Sequence, residues 1–344
     1  MRAKPRQRAV FDPRDYGTFM HYVLENVARD ALDEGGFASV TRRRIGELTD
    51  RYVDQYIHEE MNDFAEKSER FQYLFRRLRP TVRRVTEDMW EELSDSRFQP
   101  IDLELDLAAE GVLEPSEDES FRMTGRADRV DGWVKDGVLY LRITDYKTGK
   151  KQFSLSDVCD GVNLQMLLYL FTLEKRGGRY LGADQIRPAG VLYSPARYEI
   201  AHAQGEPTDE ELASLRRSSA KRSGLVLLDD EVIEAMEPGE EKRFLPVRLK
   251  KDGGWSAASL RYLASLEQFG MLGRYIDDTL RQMAEELRAG SVAADPWFKN
   301  ARDNACAYCD YAKACLFDEG RDGWRVRTTL SPEEAWERIG GSHE

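Results

Sequence analysis

The chain has 344 residues, enough for one large domain or two ordinary ones with an ample core. Its 41% hydrophobic and 33% charged content describes a soluble globular protein, and no apolar run approaches the roughly 20 residues of a membrane span. A formal net charge of −12 excludes indiscriminate nucleic-acid binding over the whole surface but leaves room for a local basic groove.

The N-terminal MRAKPRQRAVFDPRD is basic and lacks the apolar segment of a secretory signal, so a cytoplasmic protein without membrane attachment is expected. Residues 14–33 carry Phe19, Tyr22, Val23, Val27 and Leu32 at helical spacing and predict an amphipathic helix. His21 lies on it within GTFMHYVLE, with Gly17 and Glu25 four positions away on the same face. A glycine there would admit close approach of another backbone. A charged, helix-rich segment runs to about residue 95. Its arginines Arg76, Arg77, Arg79, Arg83 and Arg84 read either as a solvated helix face or as a nucleic-acid surface.

Residues 101–148 switch to strand patterns, with Gly137 turning between WVKDG and VLYLRIT. Ser156 to Leu173 reads as one helix, capped by Ser154 or Ser156 and ended by Gly177 and Gly178. AGVLYSPA at 189–196 reads as a short buried strand. Residues 199–255 are polar, with EPGEEKR and KKDGG turns, and read as an insertion. Leu260 to Arg288 is predicted as a long amphipathic helical region. Ser331, Pro332, Glu333 and Glu334 have the capping-box pattern that starts a short helix, in a C-terminal tail over 331–344.

The chemistry concentrates in GRADRVDGWVKDGVLYLRITDYKTGKKQFSLSDVCDGVNLQMLLY, residues 125–169. Asp145 and Lys147 are two apart on a strand, so both side chains point to one face. Asp128 lies on the preceding strand and can reach the same end. Gln165 and Tyr169 are four apart on the following helix and share a face. Two carboxylates can hold a hard cation such as Mg²⁺, which polarises a phosphoryl oxygen and lowers the pKa of a bound water. A lysine beside them can neutralise developing charge. Lys150 and Lys151 follow at once, suited to phosphate contact.

GTFMHYVLE, GRADRVD, ITDYKTG and the Gln165–Tyr169 pair resemble the motifs of the RecB-type branch of the PD-(D/E)XK nucleases. GVLYSPAR, SGLVLLDDEVIEAM and NACAYCDYAKACLFD extend the resemblance to the nuclease region of AddB-type subunits, over about residues 11–330. The resemblance implies an α/β restriction-endonuclease-like core, a mixed β-sheet flanked by helices, with helical additions and a cysteine cluster, forming one domain over residues 1–330. It implies that His21, Asp128, Asp145 and the backbone carbonyl of Tyr146 hold Mg²⁺ or Mn²⁺. It makes Lys147 the catalytic lysine, supported by Gln165 and Tyr169. Expected partners are an AddA-type helicase–nuclease subunit and single-stranded DNA from an unwound duplex end, in double-strand break repair.

Of four cysteines, Cys306, Cys309 and Cys315 fall within ten residues, a spacing for metal or iron–sulfur binding in a cytosolic protein. Zinc is the alternative, although no histidine lies near. In the resembling family a fourth cysteine, ahead of the histidine helix, completes a [4Fe–4S] cluster. Residues 1–20 contain none, so the chain is expected to be a fragment of a longer subunit with an incomplete cluster. Cys159 stands six positions before Gln165, about 240° around a continuous helix from the site-facing stripe, and reads as a packed core thiol. Two rival readings are a free-standing RecB- or Cas4-like exonuclease and a non-catalytic, cluster-stapled DNA-binding or assembly module.

Overall fold

Asp136 and Gly137 both adopt positive φ, 50° and 79°, and close a two-residue hairpin in which Lys135 pairs with Val138. An Asp-Gly pair tolerates this left-handed backbone and matches the twist of the flanking strands. The hairpin joins the two strands that carry the DxK and GRADRVD motifs. The computed structural model describes residues 13–64, 67–108, 124–197, 208–320 and 322–341. These fall into two compact units. One comprises the described parts of Met1–Glu114, Met123–Phe153 and Met166–Leu266, the other those of Ser154–Gln165 and Glu267–Glu344.

The first unit begins with helices α1 (Pro13–Asp33), α2 (Arg42–Glu59), α3 (Glu69–Arg76) and α4 (Arg79–Ser94). Thr41 and Ser68 cap α2 and α3 through their hydroxyls, accepting from Arg44 N–H and Phe71 N–H. Phe19, Met20, Val23 and Val27 of α1 are buried against Ile45 and Leu48 of α2, Phe75 of α3 and Met89 of α4. Full burial of each such side chain contributes roughly 1.5–3 kcal/mol. The arginine cluster resolves toward a helix face paired with its neighbour: Arg79 meets Asp50 and Asp54, and Arg83 meets Asp50, from α4 to α2.

A six-stranded mixed sheet follows, in spatial order β1 (Gln99–Asp106), β2 (Arg126–Lys135), β3 (Val138–Lys147), β4 (Gln185–Pro195), β5 (Ser223–Leu227) and β6 (Leu263–Ala264). Pairs β1–β2, β2–β3 and β4–β5 are antiparallel; β3–β4 and β5–β6 are parallel. β3 is central and buried along nearly its whole length, which explains why VLYLRIT runs almost continuously apolar.

The remaining helices are α5 (Leu155–Cys159), α6 (Gln165–Arg176), α7 (Gly178–Leu181), α8 (Asp209–Ala220), α9 (Asp230–Met236), α10 (Ala257–Leu260), α11 (Leu266–Arg288), α12 (Ala312–Cys315) and α13 (Pro332–Gly341). The helix expected over Ser156–Leu173 is therefore two. It breaks after Cys159, where Gly161 and Asn163 take φ of 72° and 62° and Asn163 donates to Asp157 Oδ2 at 2.7 Å. Asp160, Gly161 and Asn163 are turn residues, and the apolar periodicity on either side obscured them. The angle reckoned from Cys159 to Gln165 on one axis does not apply.

Residues 208–255 do not stand apart as a polar insertion; positions 199–207 lie outside the described residues. β5 lies inside the sheet, with Leu225, Val226 and Leu227 buried. A Cβ at Gly224 would stand 1.9 Å from the Val191 carbonyl oxygen, so only glycine lets β5 reach β4. The polar composition belongs to the turns around a five-residue strand too short to dominate the average.

In the second unit, α13 packs on α5, and Arg327 bonds Asp157 at 2.5 Å and Asp160 at 2.9 Å. Ser331 and Glu334 form the expected reciprocal cap, and β7 (Trp297–Asn300) lies between β8 (Asp303–Asn304) and β9 (Arg325–Val326).

Candidate active site

Asp128 on β2 and Asp145 on β3 stand next to each other where the two strands part. The ladder is regular up to Arg129 opposite Thr144. Beyond it the Tyr146 N–H donates to Asp128 Oδ2 at 2.7 Å, so a carboxylate takes the place of a strand carbonyl. Lys147 Nζ lies 2.5 Å from Asp145 Oδ2, a buried oxygen that accepts no hydrogen bond of good geometry. A buried carboxylate oxygen held by a lysine ammonium already faces positive charge, which a bound cation could share.

α1 brings in His21. Its Nδ1 is 3.6 Å from Asp128 Oδ1 and 3.1 Å from Glu104 Oε1, a bond the imidazole must donate because an ionised carboxylate can only accept. Ligand atoms of His21, Glu104 and Asp128 all lie within 4.8 Å of one another. Glu104 is the residue that sequence reasoning missed. It sits on β1 with φ of 53°, between the pairs Leu103–Arg129 and Leu105–Ala127, and this left-handed residue re-aims the side chain. The alternating acids of IDLELDL, opposite GRADRVD, were the available signal; the backbone reversal had none.

Burial, and then the negative charge of Asp145, push the Asp128 carboxyl up to about 7. Burial alone would depress His21, but its bond to Glu104 and the charges of Asp128, Glu104 and Asp145 outweigh it, and its pKa is raised. Three carboxylates thus converge on one imidazole, which makes the cluster a strong cation attractor. Hard oxygen donors suit Mg²⁺, and the imidazole nitrogen also suits Mn²⁺.

Tyr169 is buried, and its hydroxyl accepts from the Arg126 N–H at 3.1 Å, holding the start of β2 two residues before Asp128. A Cβ on Gly125 would lie 2.4 Å from the Tyr169 ring, which explains the glycine that opens GRADRVD. Gln165 opens α6 one turn earlier, is exposed, and belongs with the second unit. Two neighbours of His21 differ from expectation. Among the described residues a Cβ on Gly17 would meet nothing within 4 Å, so none of their backbone approaches there, and Glu25 turns to Arg29 at 2.7 Å.

Cys306 is half-buried, Cys309 and Cys315 are exposed, and all three are free thiols. Their sulfurs do not join any group of metal-ligating atoms within 4.8 Å among the described residues. Cys159 is buried, its thiol 3.6 Å from the Ala335 carbonyl oxygen, and burial pushes it up to about 11. It is a protonated core thiol, the reverse of a metal-ligating thiolate. These donors do not make up a four-iron site among the described residues.

A mixed sheet whose parting strands present Asp128 against Asp145-x-Lys147 defines a class, and the whole chain agrees with it. The match to the PD-(D/E)XK nuclease superfamily extends over residues 1–316, and the chain belongs to that superfamily. It is also similar to proteins named as ATP-dependent helicase/deoxyribonuclease subunits of the B type. The one from Ruminiclostridium cellulolyticum is 32% identical over 344 residues, covering 96% of this chain and 29% of the relative. Those from Acetivibrio thermocellus (32% over 327 residues) and Clostridium kluyveri (30% over 349) cover 92% and 98% of this chain. The chain spans only 28–30% of the length of these curated relatives. No helix among the described residues is long and apolar enough to cross a membrane.

Proposed function

We propose that this chain hydrolyses phosphodiester bonds in single-stranded DNA with Mg²⁺ or Mn²⁺, as the nuclease part of a cytoplasmic AddAB-type helicase–nuclease acting in double-strand break repair. The convergence of His21, Glu104 and Asp128 beside the Asp145–Lys147 pair carries this reading. His21, Glu104, Asp128, Asp145 and the carbonyl of Tyr146 are the proposed metal donors. A bound ion would polarise the scissile phosphoryl group and acidify a water. Lys147, already against Asp145, is placed to orient that water and to neutralise charge gathering on the phosphate oxygens. Tyr169 holds the β2 end, with Gln165 one turn before it proposed as its aid. Lys150 and Lys151 follow Lys147 directly and would receive flanking phosphates. The similarity to proteins named as helicase/deoxyribonuclease subunits supports an AddA-type partner and DNA as substrate.

The experiment compares cleavage of end-labelled single-stranded and duplex oligonucleotides, with Mg²⁺, with Mn²⁺ and with EDTA. Single-strand cleavage that EDTA abolishes, and that Lys147→Ala loses without unfolding, supports the reading. Undiminished cleavage by Lys147→Ala overturns it.

A further inference from the structure

Arg129 and Tyr146 alternate along β2 and β3 with the site residues Asp128, Asp145 and Lys147, so they point to the other face of the sheet. Arg129 is fully buried. Its Nη1 donates to the Tyr146 hydroxyl at 2.8 Å, its Nε lies 2.9 Å from Asp131 Oδ1, and its Nη2 lies 3.3 Å from Glu92 Oε1. Arg142 Nε donates to Asp131 Oδ2 at 2.9 Å, and Arg222 Nη2 to Glu92 Oε2 at 2.9 Å. Arginines 129, 142 and 222 therefore clamp Glu92 and Asp131 in the interior, and Arg129 spends one fork nitrogen on a neutral phenol.

That phenol belongs to the residue on which the site turns. The Tyr146 N–H holds the Asp128 carboxylate at 2.7 Å, and its ring meets the His21 ring edge-on, centroids 6.2 Å apart. The two peptide units flanking its Cα include its own carbonyl and that of Asp145. Fixing the ring fixes both units. The β2–β3 ladder has stopped here, so β3 is held on this side by the Asp128 carboxylate and the ring contacts, while its parallel pairing with β4, Tyr146 opposite Ser194, continues.

We propose that Arg129 and the Tyr146 side chain are positioning residues, a buried arginine–phenol latch that holds Asp128, His21 and the Tyr146 carbonyl in cation-binding register. The inference rests on the nuclease reading for the identity of the site, but its primary test needs no cleavage. Outer partners that orient metal ligands typically contribute about 10- to 100-fold in affinity.

Mn²⁺ binding is measured by titration calorimetry on the wild-type chain, Tyr146→Phe, Arg129→Lys and Met89→Leu, with thermal melts alongside. Tyr146→Phe removes only the latch hydroxyl, and Arg129→Lys keeps the charge but loses the fork. Met89→Leu removes the hydroxyl's other neighbour, at 3.3 Å, and leaves the latch intact. The expected result is Mn²⁺ binding about tenfold weaker in the first two, wild-type binding in Met89→Leu, and slower turnover at unchanged KM for DNA in Tyr146→Phe. Wild-type Mn²⁺ affinity in either latch variant that melts cooperatively overturns the inference and leaves the nuclease reading standing. Loss of the nuclease reading registers separately, as cleavage insensitive to Lys147→Ala.

Discussion

Glu104 meets His21 across 83 positions of sequence, Oε1 to Nδ1 at 3.1 Å, and completes the proposed donor set that the DxK motif begins. A left-handed residue within β1 makes that meeting possible, at a backbone cost of order 1–3 kcal/mol. Such a conformation persists only where its surroundings hold it.

Glu104→Gln keeps the shape of the side chain but removes its negative charge and leaves one ligating oxygen. Cleavage should fall at least about tenfold, with the metal concentration for half-maximal activity raised and the melting temperature unchanged or higher, since the carboxylates repel one another. A metal titration of activity beside a thermal melt checks this. Wild-type half-saturation would remove Glu104 from the donor set.

Metal-free stability should depend on pH in a defined direction. Asp128 is raised to about 7 from 3.8, so the folded state holds a proton that the unfolded chain has lost, and stability falls as pH climbs from about 4 to 7. His21 is raised as well; its contribution is complete below 6.5 and is lost as pH rises through the folded value. Both slopes have the same sign. Glu92 opposes them at the acid end: three arginines hold it well below the ordinary carboxylate range despite its burial, so stability present above 4.5 is lost on acidification. Melting temperatures with EDTA should peak near pH 5 and decline toward pH 8, and Asp128→Asn should flatten the decline. Mn²⁺ affinity should rise with pH over the same interval, because binding displaces protons.

Gly125→Ala places a methyl 2.4 Å from the Tyr169 ring. Overpacking of this kind costs about 1–3 kcal/mol and would push the start of β2 away from Asp128. Denaturant midpoints should show that loss in Gly125→Ala. A Gly125→Ala, Tyr169→Leu double variant should be more stable than the sum of its singles, because the clash is removed with the ring. Additive losses would mean that the ring moves aside freely.

The cysteines should separate by alkylation. Iodoacetamide on the native chain at pH 8 should label Cys309 and Cys315 quickly, and leave Cys159 unmodified until denaturant is added. Peptide mass spectrometry reads each site. Native labelling of Cys159 would contradict its packing against Ala335.

Much of this was legible in the sequence because it is local. The Asp136-Gly137 hairpin, the period-2 placement of Asp145 and Lys147, the Ser331 cap and the helical spacing of Phe19, Val23 and Val27 depend on neighbours within a few residues. Two local signals were outvoted. Asp160, Gly161 and Asn163 broke a helix that the flanking apolar residues extended, and β5 disappeared into the polar average of its surroundings.

By itself the sequence named the residues of the candidate site, Asp128, Asp145, Lys147 and His21, their order, and the strand and helix that carry each. Only the tertiary structure decided which distant groups complete it. Glu104 arrives through one reversed residue, Tyr169 reaches the Arg126 N–H across 43 positions, and Arg129 finds the Tyr146 phenol across 17. The reason is physical. Periodicity encodes which way a side chain points, while buried charge requires specific partners, and those are supplied by whichever strands and helices the packed core brings within hydrogen-bonding distance.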